Sequence, residues 1–314
     1  MVDVIFTIIN HNHKDMTVDC LNSIKNCVKD IDYKVVVLDN ASTDNSSKVI
    51  PKLFPDVIYI RQNVIKGFRE NQNRMLKEFS GKAKYYILLN DDTIVLDYSV
   101  NKMFLFMENN PEVGICGARL IFPDGKYQIS GGIFPSMIKE IVRLLNLRAW
   151  GLSSDLKGFI GKYLGWLLPY EFREYLKGFI DKIGVREVDY VSGACMMVRN
   201  KVFEEIGFLN DDYEMYAEDI DICLRAKLHK WKIYLNNDAK IVHKLSMSKN
   251  PYTIEQFEIS KVKFFKNYYK NKPLFFYKIA VSLITFVKGI LSQMEGLSYI
   301  SAADFAVSRK IWLI

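Results

Sequence analysis

Apolar runs alternate with polar, helix-length segments over the first hundred or so residues, the pattern of a parallel sheet assembled from βαβ units. Four runs read as strands: Val4–Ile9, Lys34–Leu38, Val57–Arg61 and Tyr85–Leu89. The intervals between them suit crossover helices, one starting at Thr17 and another at Asp44, where an Asp-Asn-Ser-Ser cluster supplies capping groups. Three of the strands run into polar side chains: Asn10-His11-Asn12, Asp39-Asn40 and Asn90-Asp91-Asp92. In an open α/β sheet, ligands lie beyond the carboxyl ends of the strands, so these groups should converge on one crevice.

The pattern changes after Val113. A strand, a turn at Pro123-Asp124-Gly125 and a second strand are expected between Val113 and Ser130. A helical block follows, in which Ile138, Ile141, Val142 and Leu145 share one helix face, and Phe172, Tyr175, Leu176, Phe179, Ile180 and Ile183 share another. The apolar, glycine-punctuated segment between them reads as part of a lid or subdomain packed on the sheet. Val188–Val198 returns as a buried strand broken by Ser192-Gly193-Ala194, where glycine permits close approach of a ligand or another backbone. Glu218, Asp219 and Asp221 then stand at the start of a helix, which the macrodipole favours in any protein. The same placement offers a general base for a hydroxyl nucleophile, with Asp219 the first choice and Glu218 the reserve.

Near the carboxyl end, Lys261–Lys270 interleaves lysines with aromatics, and a helix-length segment, Leu274–Leu291, follows Pro273. Lys278, Ser282, Thr285 and Lys288 form a narrow polar stripe on an otherwise apolar helix. Two lysines inside a barely sufficient length disfavour a spanning helix. Two readings stand: a helix lying in a membrane interface, and a terminal helix docked on the protein or on a second subunit.

The chain has 314 residues, 49% of them hydrophobic and 25% charged, which fits a globular protein and excludes general disorder. Its net charge of +7 suits anionic substrates, an anionic membrane surface or nucleic acid, and selects none of them. The amino terminus enters a strand without a basic region and apolar core, which argues against export. The five cysteines are scattered without Cys-x-x-Cys spacing and read as reduced, structural thiols of a cytoplasmic protein.

Asn10, Asn12 and Asp39 suit recognition of a nucleobase and ribose, because amides and carboxylates pair with base edges and sugar hydroxyls. No glycine-rich phosphate loop is present, which leaves phosphate to a metal and to side chains such as Lys66 and Arg69. Asp91-Asp92 at a strand end suits a hard divalent cation that also binds phosphate oxygens. His11 and His13 would share one face of a strand, yet without a third ligand they read as polar loop residues rather than as a zinc site.

Five segments occur in order: Ile8-Ile9-Asn10-His11-Asn12, Val37-Leu38-Asp39-Asn40-Ala41-Ser42-Thr43-Asp44, Leu88-Leu89-Asn90-Asp91-Asp92-Thr93, Val191-Ser192-Gly193-Ala194, and Glu218–Arg225 with Val242-His243. With them the chain resembles the family 2 inverting glycosyltransferases, most closely the rhamnosyltransferase-like bacterial members, over roughly Val4 to Ser248. The resemblance implies a GT-A fold, a Rossmann-like mixed α/β sheet flanked by helices, over residues 1–250. Residues 1–112 would form the nucleotide-binding half and 113–250 the acceptor half, with a helical insertion at about 136–184, and 251–314 a C-terminal helical extension.

The resemblance further implies a uridine or thymidine diphosphate sugar as donor, with rhamnose as its sugar. Asp39 would bind the base, with Asn40 beside it, and Asn90-Asp91-Asp92 stands where the family carries Asp-x-Asp. Asn90 replaces the first acid there, so Asp92 would be the main ligand of Mg2+ or Mn2+, with Asp91 at the donor and His243 reaching the metal or diphosphate. Gly67, Phe68 and Asn73 fit the family's donor-contacting segment, from which Arg69-Glu70 departs, and Gly193 belongs to the same donor site. Asp219, with Glu218, would deprotonate the acceptor, a glycan or a polyprenol-diphosphate-linked sugar at the cytoplasmic leaflet. A catalytically inactive nucleotide-sugar binder would have lost Asp92 or Asp219, and both are present. A nucleotidyltransferase needs a basic glycine-rich loop near the first strand, which is missing, and no recognised module accompanies the lysine/aromatic run to support nucleic-acid binding.

Overall fold

Strand β1, Val2–Asn10, carries Val4, Ile5, Phe6 and Ile8, all excluded from solvent on both sides of the strand, and so it takes the middle of a sheet. The computed structural model describes residues 1–138, 140–141, 184–244, 251–269, 272–294 and 298–314. β1 is flanked by two parallel neighbours, β2 (Tyr33–Asn40) and β4 (Ala83–Asn90), and β3 (Ile58–Gln62) extends the sheet beyond β2. The crossovers are α1 (Lys14–Cys27), α2 (Ser46–Leu53) and α3 (Phe68–Glu78). All four expected strands form: β1, β2 and β4 run longer than their apolar runs, because paired backbone carries flanking polar residues into the ladder, and β3 is shifted by one residue. α1 starts three residues before Thr17, with the Lys14 N–H taken by Asp44 Oδ2 at 2.8 Å, and Asp44 Oδ1 also accepts from Ser46 at the head of α2.

The second half converts this parallel sheet into a mixed one. Its elements are β5 (Thr93–Val95), α4 (Ser99–Asn109), β6 (Val113–Ile121), β7 (Gly131–Gly132), β8 (Val185–Glu187), β9 (Tyr190–Val191) and β10 (Cys195–Arg199). They are followed by α5 (Asn200–Ile206), α6 (Glu218–Leu228) and β11 (Lys232–His243). Among the described residues the sheet runs β3-β2-β1-β4-β10-β6-β11-β5, with β8 also paired to β11. β10 lies antiparallel between β4 and β6, which brings the Ser192-Gly193-Ala194 break beside the carboxyl end of β4. The turn expected at Pro123-Asp124-Gly125 forms, with Gly125 at φ 82° and the Phe122 N–H donating to Lys126 O. The second strand expected after it does not form. Only Tyr127 pairs with Ile121, and the Leu120 N–H turns to the hydroxyl of Ser130, so the chain leaves the sheet there.

The chain divides into two compact units, Met1–Phe134 with Ile183–Met247, and Pro135–Lys182 with Ser248–Ile314. Of the inserted helical block, the stripe from Val142 to Leu145 and that from Phe172 to Ile183 lie outside the described residues. The second unit contains α7 (Pro251–Tyr268), α8 (Lys272–Met294), α9 (Ser298–Lys310) and a 3-10 turn, Ile311–Leu313. Among the described residues α8 is the helix long and apolar enough to cross a membrane, over Pro273–Ile290. α8 and α9 approach so closely that a Cβ on Gly289 would meet the Phe305 ring at 2.8 Å.

The polar stripe of α8 faces into this unit. Thr285 is buried and Ser282 Oγ donates to Ser308 O at 2.9 Å. The lysine/aromatic run is divided: Lys261 is buried against Glu140, and Phe264 and Phe265 are buried with Tyr268 and Tyr277 against their rings, while Lys266 and Tyr269 are exposed.

Candidate active site

The sheet register gathers the predicted polar groups at one edge. Asn10 pairs with Asp39 across β1 and β2, and Ile9 pairs with Asn90 across β1 and β4. Asn10 is buried, donating to Ser42 Oγ at 3.1 Å and accepting from the His13 N–H and Thr17 Oγ. Asn12 adopts φ 57°, and its Oδ1 accepts the Thr43 N–H at 2.7 Å. Asn40 clamps the backbone of Lys66 in both directions, donating to its carbonyl at 3.0 Å and accepting from its N–H at 2.9 Å. These amides therefore shape the crevice wall. Asp39 is fully buried, with Oδ1 held by the Ser42 N–H and Oδ2 facing the half-exposed Arg61 guanidinium at 3.4 Å.

The segment opening α3 is fixed by packing. A Cβ on Gly67 would stand 3.2 Å from the carbonyl oxygen of Glu214, so the close approach needs glycine. Phe68 begins the helix half-buried, and Asn73 ties it to Leu209 through a reciprocal pair of hydrogen bonds at 2.8 and 2.9 Å. Lys66 pairs with Glu70, and Arg69 donates to Asp211 and to Tyr213 O. Both cations expected to face phosphate thus carry protein partners. His11 and His13 lie in the loop beyond β1 rather than on a strand, and their rings diverge: Nδ1 of His11 meets Asn40 O, and Nδ1 of His13 meets Asp91 Oδ2 at 3.1 Å.

Asn90-Asp91-Asp92 leaves β4 with both acids buried. Burial raises the Asp91 carboxyl above its ordinary pKa, and the hydrogen bond to Asp91 raises His13. Asp92 Oδ1 lies 3.2 Å from His243 Nε2, with Asn90 Nδ2 3.4 Å from the same nitrogen. His243 ends β11, whose register sets it opposite Thr93. Its Nδ1 meets Gln128 Oε1 at 2.6 Å, and Gln128 Nε2 donates back to His243 O. An amide oxygen only accepts, so Gln128 holds a ring proton on Nδ1 and leaves Nε2 to face Asp92. Carboxylate oxygen and imidazole nitrogen aimed together fit Mg2+ or Mn2+. Among the described residues no three His, Cys, Asp or Glu side chains form a metal cage. One or two protein ligands suit a cation that completes its shell with diphosphate and water.

A second pair of acids opens α6. The backbone enters it through Tyr216 and Ala217, at φ 68° and 67°, two non-glycine residues in the left-handed region. Such conformations cost about 1–3 kcal/mol each and persist where the surrounding structure demands them. Asp219 Oδ2 accepts the Gly193 N–H at 3.1 Å, and Oδ1 accepts the Ile220 N–H at 2.8 Å. Burial raises Asp219, while these N–H groups favour its ionised form. Glu218 Oε2 is buried with no hydrogen-bond partner, and burial first, then the charge of Asp219, push its carboxyl up to about 8. Of the two, Asp219 is the acid whose carboxylate form is held by hydrogen bonds, and Glu218 the one raised with no such support. Asp221 differs, since it pairs with Arg225 at 2.7 Å, and Arg225 also donates to Ile206 O and Phe208 O. Its role is structural. The two acidic clusters are linked through backbone: Asn90 N–H donates to Ala194 O, and the adjacent Gly193 donates to Asp219.

The family model of Glycosyl transferase family 2 matches residues 5–207, well over half of the chain. The chain belongs to this family. An N-acetylglucosaminyl-diphospho-decaprenol L-rhamnosyltransferase of Mycobacterium tuberculosis is 25% identical over 218 residues, covering 67% of this chain and 66% of its own length. The O-antigen biosynthesis protein RfbC of Myxococcus xanthus is 23% identical over 56% of this chain and 12% of its own length. The low-salt glycan biosynthesis hexosyltransferase Agl10 of Haloferax volcanii is 46% identical over 43 residues, 14% of each chain. The chain thus spans just under two thirds of the rhamnosyltransferase. As a family 2 member it has the GT-A architecture, a central mixed sheet flanked by helices.

The family match ends before α6 and His243, so tertiary contacts, rather than the match, connect those residues to the β4 edge. Three participants in this family 2 site are not evident from the strand-end pattern. Ser42, the hub for Asn10, Asn12 and Asp39, stands inside a quoted segment without being singled out. His13 was read as a polar loop residue and meets Asp91. Gln128 follows the turn after β6, where nothing in the sequence connects it to His243.

Proposed function

We propose that the chain is an inverting, divalent-metal-dependent glycosyltransferase. It transfers a sugar from a uridine or thymidine diphosphate donor to a hydroxyl of a glycan or polyprenol-diphosphate-linked acceptor, in cell-surface polysaccharide synthesis. Rhamnose as the sugar, and a lipid diphosphate on the acceptor, rest on the likeness to the mycobacterial rhamnosyltransferase. The observation that carries the reading is the coupling of two chemically different acid sites through Asn90, Ala194 and Gly193. We assign donor binding to residues 1–112 and acceptor binding mainly to 113–250.

Asp39 sits at the end of β2 to receive the base, and Asn10, Asn12 and Asn40 hold the walls around it. Asp92 and His243 Nε2 would hold the metal, with Gln128 keeping a His243 proton on the far nitrogen. A divalent cation held there would offset negative charge on the leaving nucleoside diphosphate. Asp219, kept ionised by the N–H groups of Gly193 and Ile220, accepts the proton of the acceptor hydroxyl as that oxygen attacks the anomeric carbon. Attack opposite the leaving group inverts the configuration in one displacement. Glu218, neutral beside it, leaves a single negative charge where the proton is received.

The test is release of nucleoside diphosphate from a panel of nucleotide sugars, with Mn2+, Mg2+ or chelator and with extracted membrane lipids as acceptors. Turnover of one donor that requires metal and disappears in Asp92→Ala and Asp219→Asn is the expected result. Turnover unaffected by chelator in the native chain, or undiminished in Asp219→Asn, would exclude the mechanism, and absence of both donor binding and turnover would exclude the function.

A further inference from the structure

Helix α8 turns its polar stripe into its own unit and an apolar face outward. Tyr277, Val281, Thr285 and Gly289 are buried on one side. Phe275, Phe276, Leu283, Phe286, Val287 and Ile290 are exposed on the other, Phe276 to 68% and Leu283 to 61%. At 3.6 residues per turn these six fall within a sector of about 120°. Every residue of that sector between Phe275 and Ile290 is apolar, Ile279 included. The helix also has no acidic residue along its length. Trp312, against the Phe275 ring at 6.2 Å, and the exposed Leu313 continue the patch. Monomeric soluble proteins seldom expose so many large apolar side chains together.

The polar groups of the same unit have the reverse arrangement. Its described carboxylates, Glu140, Glu255, Glu258 and Asp304, are all buried. Glu140 pairs with Lys261 and Glu255 with Lys310. Asp304 is raised to about 6, by burial above all, with Lys288 nearby opposing the rise. The charged side chains it does expose among the described residues, Lys266, Arg309 and Lys310, are all cationic, Lys310 while paired with Glu255. A surface of exposed phenylalanine and cation with its acids turned inward is complementary to an anionic lipid bilayer. It is not complementary to a second copy of itself, which would present the same charge.

We propose that this face of α8 lies in the interface of an anionic membrane, with Phe276, Leu283 and Phe286 entering the acyl boundary and Arg309 and Lys310 near the lipid headgroups. A spanning arrangement would carry Lys288, and the polar contacts of Ser282 and Thr285, through the hydrocarbon core, which is costly. The docking does not depend on the proposed sugar transfer, and it is read without it.

The test is co-sedimentation of the full chain with phosphatidylcholine vesicles, and with the same vesicles containing phosphatidylglycerol, at low and high salt. Binding to the anionic vesicles that weakens with salt, and falls roughly tenfold or more in the double variant Phe276→Ser/Phe286→Ser, is the expected result. A control, Leu105→Ser, removes an exposed apolar side chain from α4 in the other unit and should bind like the native chain. Circular dichroism and light scattering of each variant establish folding and mass. No binding to either vesicle, or equal binding by the double variant, would overturn the proposal. So would a dimer that the double variant dissociates without any vesicle binding, which would make the occupant a second copy.

Discussion

The loop after β4 and the start of α6 both bury adjacent carboxylates, and the structure treats them in opposite ways. At β4, each acid faces a histidine, Asp91 with His13 and Asp92 with His243. At α6, among the described residues, Asp219 is held by two backbone N–H groups and Glu218 Oε2 has no hydrogen-bond partner. The first arrangement sets each acid against a ring nitrogen. The second gives one acid two N–H donors and leaves the other without that support. The motif "two acids in a row" therefore encodes no role by itself, and the neighbouring donors decide it.

The largest expected effect breaks the α6 half. Asp219→Asn removes the proton acceptor and keeps one of the two backbone partners, since an amide has a single accepting oxygen, so kcat should fall about a hundredfold to ten-thousandfold while donor binding, followed by calorimetry, is retained. Next comes the partner acid that this reading makes structural. Asp221→Ala leaves Arg225 semi-buried without its carboxylate and should cost about 3–5 kcal/mol of stability in denaturant titration, with activity per folded molecule largely kept.

The β4 half is tested through Gln128. Gln128→Ala frees the His243 ring to choose its tautomer and should weaken Mn2+ binding about 10–100-fold, read by calorimetry on the donor complex, with Asp92 untouched. A smaller effect concerns Glu218. Its folded pKa of about 8 exceeds the ordinary 4.5, so the folded state binds more protons between those values and loses stability as pH rises through that window. Glu218→Gln should flatten the fall in melting temperature from pH 5 to pH 8, and an unchanged slope would reassign the titration. The smallest effect is at Asn73, where Asn73→Ala leaves Leu209 N–H and C=O unpaired and should cost about 1–3 kcal/mol without changing metal affinity.

How far the sequence could be read differs between these regions for a physical reason. Buried parallel strands need long apolar runs, and a strand end can hold only groups that face the crevice, so β1, β2 and β4 and the polar residues that follow them stand out in one dimension. The strand expected after Gly125 did not form, because a single hydroxyl, that of Ser130, captured the N–H that would have continued the ladder. The stripe on α8 and part of the lysine/aromatic run turn inward, since serine beside the Ser308 carbonyl and Lys261 beside Glu140 satisfy their polarity in the interior.

What the sequence determined by itself is the class of fold and the strands that build the first half of the sheet, because periodicity and residue type are local properties. Only the tertiary structure decided that Asp219 rests on the N–H of Gly193, that Gln128 orients His243 across 115 positions of chain, and that α8 shows phenylalanine rather than lysine to its surroundings. Those outcomes depend on which donor meets which acceptor once distant segments pack, and no spacing along the chain encodes that meeting.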